Sequence, residues 1–225
     1  MPNAYVGSVN IARPRPNPYK DSLQTGIGKL PVEDRIEVRA PGPKHGGRGS
    51  GLIGDFIGDT ANHGGDEQAV YAFTREDLDD WQRRLDRELP SGFFGENLTT
   101  VGLDVNDSRI GERWRVGDDG LELEVTCPRI PCSTFRGWMA EPGWLKTFTQ
   151  NGRPGAYLKV VSPGTVGAGD RITVSRPRRH DVTISLVFRA STTNRELLPE
   201  LLAAGDDLSD ELRQMVADRG GFDLF

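Results

Sequence analysis

Glycine and proline cut the apolar pattern of this chain into short pieces. The runs IGKLPV, DRIEVR, AVYAF, RWRVG, LELEVTC, AYLKVV and DRITVS are too short for helices, and glycine-containing turns separate most of them. Several alternate apolar and polar residues, the period of a half-buried strand. Residues 4 to 12, AYVGSVNIA, open the series with the same alternation, before a proline-rich break, ARPRPNPYK. Many short strands without regular intervening helices argue against a doubly wound parallel sheet. They predict a mainly β chain with some helix, of the α+β class, built on a barrel or sandwich.

Two helices interrupt this pattern. One starts at Thr74, a hydroxyl N-cap with Asp77 three residues on, and places Leu78, Trp81, Leu85 and Leu89 on one stripe. The second is WLKTFTQNG, ending on Gly152. After the basic segment SRPRRH the composition changes: TISLVFRAS, TNRELLPELLAAG and SDELRQMVADRG read as helices, with Thr183, Thr192 and Ser209 at plausible starts and Gly205 and Gly220 at plausible stops. The expected organisation is a β-rich domain over residues 1–176 and a small three-helix domain over 177–225.

A chain of 225 residues buries a core large enough to fold without staples. With 28 Lys and Arg against 33 Asp and Glu, nothing in the overall charge points to nucleic acid or an anionic membrane as a partner. MPNAYVGSVNIARPRP lacks the apolar stretch of a signal peptide, and no run reaches the ~18 apolar residues of a membrane span. Two cysteines make no secreted disulfide framework, so the expected compartment is the reducing cytoplasm.

Several segments carry polar chemistry. GSGLIG fits G-x-G-x-x-G at Gly49, Gly51 and Gly54, but PGPKHGGR precedes it where a dinucleotide site needs a buried strand. His63, Gly64 and Gly65 stand before a strand, where they form either a tight turn or an anion-facing cradle. Asn97, in GFFGENLTT, either reads a heterocycle edge or fixes its loop. Cys127 and Cys132 bracket PRIP. If the prolines hold that stretch extended, at ~3.3 Å per residue the two Cα atoms lie ~16 Å apart, beyond disulfide reach. His45, His63 and His180 lack the H-x3-5-H spacing that completes a zinc site. Cys127 is in phase with Leu121, Leu123 and Val125, so it is expected to face inward. Cys132 lies three residues from Arg129, a cation that raises the thiolate fraction of a nearby cysteine, although a surface thiol beside an incidental arginine has the same sequence.

In order along the chain stand GKLPV, GDFIGD, HGGDEQAVYAF, GFFGENLTTVGLDV, IGERWRVG, PRIPC, RPGAYLKV and VGAGD. Together they resemble the MOSC domain family, named for the C-terminal domain of molybdenum cofactor sulfurase, and within it the small YiiM-like subgroup. The resemblance covers most of residues 1–176, and the tail resembles that subgroup's three-helix C-terminal domain. It implies a twisted β-barrel with inserted helices that binds the molybdenum cofactor, molybdopterin. The PRxPC cysteine, the family's thiolate ligand to the metal, falls on Cys132, and a soft thiolate suits molybdenum. The usual glutamine ahead of this motif is replaced by Cys127. Lys29, Arg129 and Arg153 become candidate donors to the cofactor's phosphate and pterin oxygens, His63, Gly64 and Gly65 a cradle, and Asn97 a pterin contact. Lys44, His45 and Arg48 lie in a longer connection than the family's and carry no assigned role.

The implied activity is reduction of N-hydroxylated small molecules, such as hydroxylaminopurines, to amines, with electrons from a separate flavin-containing reductase, because two cysteines hold no iron–sulfur cluster. The alternative is a cofactor carrier or sulfur-transfer module. Pyridoxal phosphate, which serves the sulfurases, would then belong to a partner.

Overall fold

A computed structural model describes residues 4–20, 24–176 and 180–222. The strands are β1 (Tyr5–Ile11), β2 (Arg15–Pro16), β3 (Gln24–Thr25), β4 (Leu30–Val32), β5 (Ile36–Val38), β6 (Val70–Thr74), β7 (Leu98–Val101), β8 (Arg113–Val116), β9 (Leu121–Pro128), β10 (Ala156–Ser162), β11 (Gly164–Val166) and β12 (Ile172–Ser175). Eight of them form one sheet in the order β12-β8-β9-β10-β6-β7-β1-β4. Its pairs are antiparallel except β6 and β7, which run parallel because helix α1 (Arg75–Leu85) crosses over between them.

The class is α+β as expected, but the barrel is not a closed ladder. β4 and β12 remain the two edges of the sheet. The sheet curls until β1 meets the entry to β12 through one bridge, Tyr5–Arg171, flanked by backbone hydrogen bonds from Val6 N to Asp170 O (2.8 Å) and from Ile172 N to Ala4 O (2.9 Å). Gly169, at φ 90°, turns the chain there. Strong twist brings the β12 edge round to β1, the neighbour of the β4 edge, and a glycine turn rather than a run of strand pairs makes the contact.

Thr74 caps α1 as its sequence predicts, its hydroxyl accepting from Asp77 N at 2.9 Å. Leu78 and Trp81 lie on the buried face of α1, while Leu89 is buried beyond the helix end. Helices α2 (Ser133–Met139) and α3 (Trp144–Asn151) complete this layer, and α2 is an element the sequence reading lacked. Between the helices and the sheet sits an aromatic cluster that includes Phe73, Trp81, Phe94, Phe135, Trp144 and Phe148. Trp81 and Trp144 meet edge to face with centroids 4.8 Å apart, the geometry that aromatic quadrupoles favour.

A second apolar cluster joins the other strand residues to the tail, including Val187, Leu198, Leu201 and Leu212. The tail contains α4 (Ile184–Thr192), a 3-10 segment (Arg195–Asp207) and α5 (Asp210–Ala217). Its middle segment is not an α-helix: Pro199 lies inside it, and Gly205 breaks it at φ 55° and ψ −123°. Asn194, not Thr192, precedes this segment, whereas Thr183 and Ser209 cap their helices as expected. The expected boundary between 176 and 177, with the linker residues 177–179, falls at the edge of the described residues and partly outside them. Among the described residues no helix is long and apolar enough to cross a membrane.

Candidate functional site

The PRIPC segment is positioned by a β-bulge. Tyr157 on β10 pairs with Cys127, but its neighbour Leu158 pairs with Val125, so Thr126 is the extra residue. Thr126 turns inward and its hydroxyl lies 2.6 Å from the carbonyl of Glu67, fastening β9 to the HGGDEQ segment. The bulge ends the alternation on which the inward placement of Cys127 rested: the buried residue is Thr126, and Cys127 is half-buried. Burial pushes the Cys127 thiol up to about 12, so it stays protonated. Both cysteines are free thiols.

Cys132 occupies the N-cap of α2 with extended backbone. Burial raises its pKa, but a hydrogen bond from His63, the Arg129 charge and the Phe135 backbone N–H together outweigh that and bring it down to about 6. The thiolate is therefore the form present at neutral pH. Arg129 stacks on Phe135, its guanidinium carbon 3.9 Å from the ring centroid. Its Nη1 is buried and meets no hydrogen-bond partner among the described residues.

A cavity of about 110 Å³ holds Lys29, His63, Gly64, Asn97, Arg129 and Cys132 in its walls. Tyr71, Tyr157, Phe94 and Phe56 line the same space, and none of these aromatic residues stands out in the sequence. A larger cleft of about 450 Å³ lies behind it, reached by Gly65, Cys127 and the start of α5. Gly64 and Gln68 line both, so the HGGDEQ turn is the partition between them. Chemistry rather than size favours the first, which holds Cys132 and the unsatisfied Arg129 Nη1.

Other expected contacts are already committed inside the fold. The Gly64 N–H donates to Gln68 Oε1 (3.2 Å) and the Gly65 N–H to Gly49 O (2.9 Å), so these glycines form a tight turn rather than an open cradle. Asn97 accepts from Tyr71 N (3.1 Å) and donates to Asp55 (2.9 Å) and Asn10 O (3.3 Å), which makes it a fastener of its loop. Arg153 is not in the cavity. It pairs with Asp77 at 2.6 Å and Asp104 at 3.0 Å, because the α1 cap brings Asp77 to the RPGAY turn.

Lys29 does reach the wall, and its ammonium lies 2.6 Å from Asp55 with both side chains buried. Asp55 is an unanticipated hub: it also accepts from Ala12 N (2.7 Å), Ser50 (2.7 Å) and Asn97 (2.9 Å). Asp59 lines the first cavity, where burial raises its pKa but hydrogen bonds from Lys20 and Asn62 outweigh that and lower it, whereas Asp66 lines the second cleft.

Among the described residues no three His, Cys, Asp or Glu side chains converge on a metal position. The protein therefore offers one soft donor, Cys132, beside a cation with an unsatisfied N–H. That set fits a metal that arrives within an anionic chelating cofactor, and does not fit a metal held by protein ligands alone.

The profile of the MOSC domain family matches residues 59–173, more than half of the chain. A reductase from Gibberella moniliformis is 31% identical over 67% of this chain, a match spanning 28% of that protein's own length. Protein YiiM from Escherichia coli is 28% identical over 74% of this chain and 70% of its own. The crystal structure of YiiM from Geobacillus stearothermophilus superposes with a TM-score of 0.74 at 22% identity, covering 96% of this chain and 98% of that one. YiiM from E. coli gives 0.67 at 23% identity, covering 86% and 88%.

Proposed function

We propose, on the premise that this chain belongs to the MOSC domain family as a YiiM-like member, that it binds the molybdenum cofactor and reduces N-hydroxylated compounds to amines. One observation carries the reading: Cys132, its thiol pKa brought down to about 6, shares a cavity with His63 and with an arginine whose buried Nη1 has no partner among the described residues. A cofactor phosphate or pterin oxygen would satisfy that N–H, and the thiolate would ligate the metal. The reductase from Gibberella supports an oxidoreductase in kind; the substrate class and the cofactor are our inference.

When bound, the cofactor supplies the two-electron chemistry that no side chain here provides. The chain's own residues bind, orient and protonate. Reduction of R–NH–OH by two electrons consumes two protons, breaks the N–O bond and yields R–NH2 and water. His63 lines the cavity at Cys132 and is the group we assign to pass a proton to the departing oxygen. Arg129, fixed over Phe135, holds positive charge against the cofactor without moving. Tyr71 donates its hydroxyl to Pro154 O at 2.7 Å, so its ring rather than its O–H faces the site. The electrons are assigned to a separate flavin-containing reductase, and the compartment to the cytoplasm, where both thiols stay reduced.

The test is to purify the protein from a host that makes the cofactor, measure molybdenum and pterin, and assay hydroxylaminopurine reduction with a chemical electron donor. Stoichiometric metal with turnover is expected. Protein that stays metal-free and cannot be loaded overturns the reading. Metal without turnover points instead to a carrier.

A further inference from the structure

We infer that Gln24 and Phe56 form a subsite for a flat heteroaromatic ring at the cavity mouth and determine specificity for heteroaromatic over aliphatic N-hydroxylated substrates. The inference rests on the proposed reaction and adds to it a ring-binding wall.

Both residues line the cavity that contains Cys132, on a side built from two different chain segments. Gln24 belongs to the two-residue strand β3, and Phe56 to the loop after Asp55. The segments touch backbone to backbone. A methyl group added at Gly26 would overlap the carbonyl of Phe56, and one added at Gly58 would overlap the carbonyl of Gln24. Two glycines therefore let the two backbones approach closely, with Gly26 against Phe56 and Gly58 against Gln24, and bring both segments to one side of the cavity.

Phe56 has no aromatic partner and the Gln24 carboxamide no hydrogen-bond partner among the described residues. Tyr71, Phe94 and Tyr157 all pack against other rings, with Tyr71 and Tyr157 at 5.2 Å and Phe94 and Phe135 at 5.1 Å. Phe56 makes no ring contact among the described residues and is half-buried at the cavity. The Gln24 side chain is exposed, and its carboxamide has no hydrogen-bond partner among the described residues. A ring without an aromatic partner and a carboxamide with one acceptor and two donors, both lining the cavity, suit a flat nitrogen heterocycle: Phe56 would stack on its face, and the carboxamide would pair with an acceptor–donor edge, as glutamine does with an adenine edge. An aliphatic hydroxamic acid offers neither feature.

The experiment compares wild type with Phe56→Ala and Gln24→Leu, using 6-hydroxylaminopurine and acetohydroxamic acid as substrates and adenine as a calorimetric ligand. Loss of base stacking or of a paired edge predicts about a tenfold rise in KM for the purine in each variant. The expected kcat stays within about twofold, KM for acetohydroxamic acid stays within about twofold, and adenine binding weakens about tenfold. Equal losses on both substrates, or adenine affinity unchanged in both variants, overturn the subsite. If wild type reduces neither compound, the reaction assignment fails by itself and adenine binding alone decides the subsite: wild type that does not bind adenine, or variants that bind it equally well, overturn it. Gln24→Asn, which keeps the carboxamide, is expected to recover part of the affinity and so separates edge recognition from a change in the wall.

Discussion

His63 of the HGGDEQ turn and Cys132 of the PRIPC segment line the same cavity, where burial raises the Cys132 thiol pKa but hydrogen bonding from His63, with the Arg129 charge, outweighs that and lowers it. This makes the two cysteines chemically unlike, one brought down to about 6 and the other pushed up to about 12. Thiolate is the alkylating form, so reactivity rises as pH passes through the pKa. In metal-free protein, iodoacetamide labelling of Cys132 is expected to reach half its limiting rate near pH 6, with Cys127 inert there. His63→Ala should move the midpoint upward, since the hydrogen bond that lowers it is gone. A midpoint unmoved by that change would leave Arg129 as the main cause.

Arg129 and Arg153 look equivalent in sequence, and the structure separates them. Arg129 has an unsatisfied Nη1 in the cavity, whereas Arg153 is paired with Asp77 and Asp104 outside it. Arg129→Ala is expected to lower molybdenum occupancy at least about tenfold, the scale of one lost charge-assisted hydrogen bond. Arg153→Ala should leave occupancy unchanged and cost about 1 kcal/mol of stability, a half-exposed ion pair being screened by water. Metal analysis and urea denaturation of the two variants check both. The opposite pattern would return Arg153 to the site.

Lys29 and Asp55 form a buried pair, and Asp55 also accepts three further hydrogen bonds. Removing the cation leaves a carboxylate with no counter-charge in a dry environment. Lys29→Ala is therefore expected to cost about 3–5 kcal/mol, while Lys29→Ala combined with Asp55→Asn should recover part of the loss. Chemical denaturation of single and double variants measures the coupling directly.

These contacts also mark what a sequence can and cannot reveal. Alternation found β9 and β10 because each side chain's face follows from its neighbours. The bulge at Thr126 adds one residue without altering composition, and so leaves Cys127 packed against the core but only partly buried. β7 was hidden because Thr99 and Thr100 are both buried, giving Leu98–Val101 no polar alternation to read. Arg153 was misplaced for a different reason: Asp77 lies 76 residues away, and a distant ion pair leaves no local signal. The order of motifs identified the family, since it records chemistry shared among chains. Which polar groups remain unsatisfied, as at Arg129 and Gln24, emerges only once the fold has occupied the others.

Glu96 gives a test of burial independent of any cofactor. Its side chain is fully buried and accepts from Gly92 N (2.6 Å), Phe94 N (3.1 Å) and the Thr99 hydroxyl (2.9 Å), shaping the GFFGEN loop that brings Phe94 to the cavity. Burial raises its pKa to about 7 despite those hydrogen bonds. The folded state therefore holds a proton that the unfolded chain releases near pH 4.5. Stability from this group is full below that pH, declines as pH rises through about 7, and is flat above, a total change on the order of 3 kcal/mol. Glu96→Gln does not titrate, so its stability lacks this decline. At pH 5 the variant should be the less stable protein, because its NH2 faces one of the N–H donors. Between pH 5 and 8 the gap should narrow as wild type loses its advantage. Urea denaturation at both pH values measures the gap, and two proteins falling in parallel would place the titrating group elsewhere.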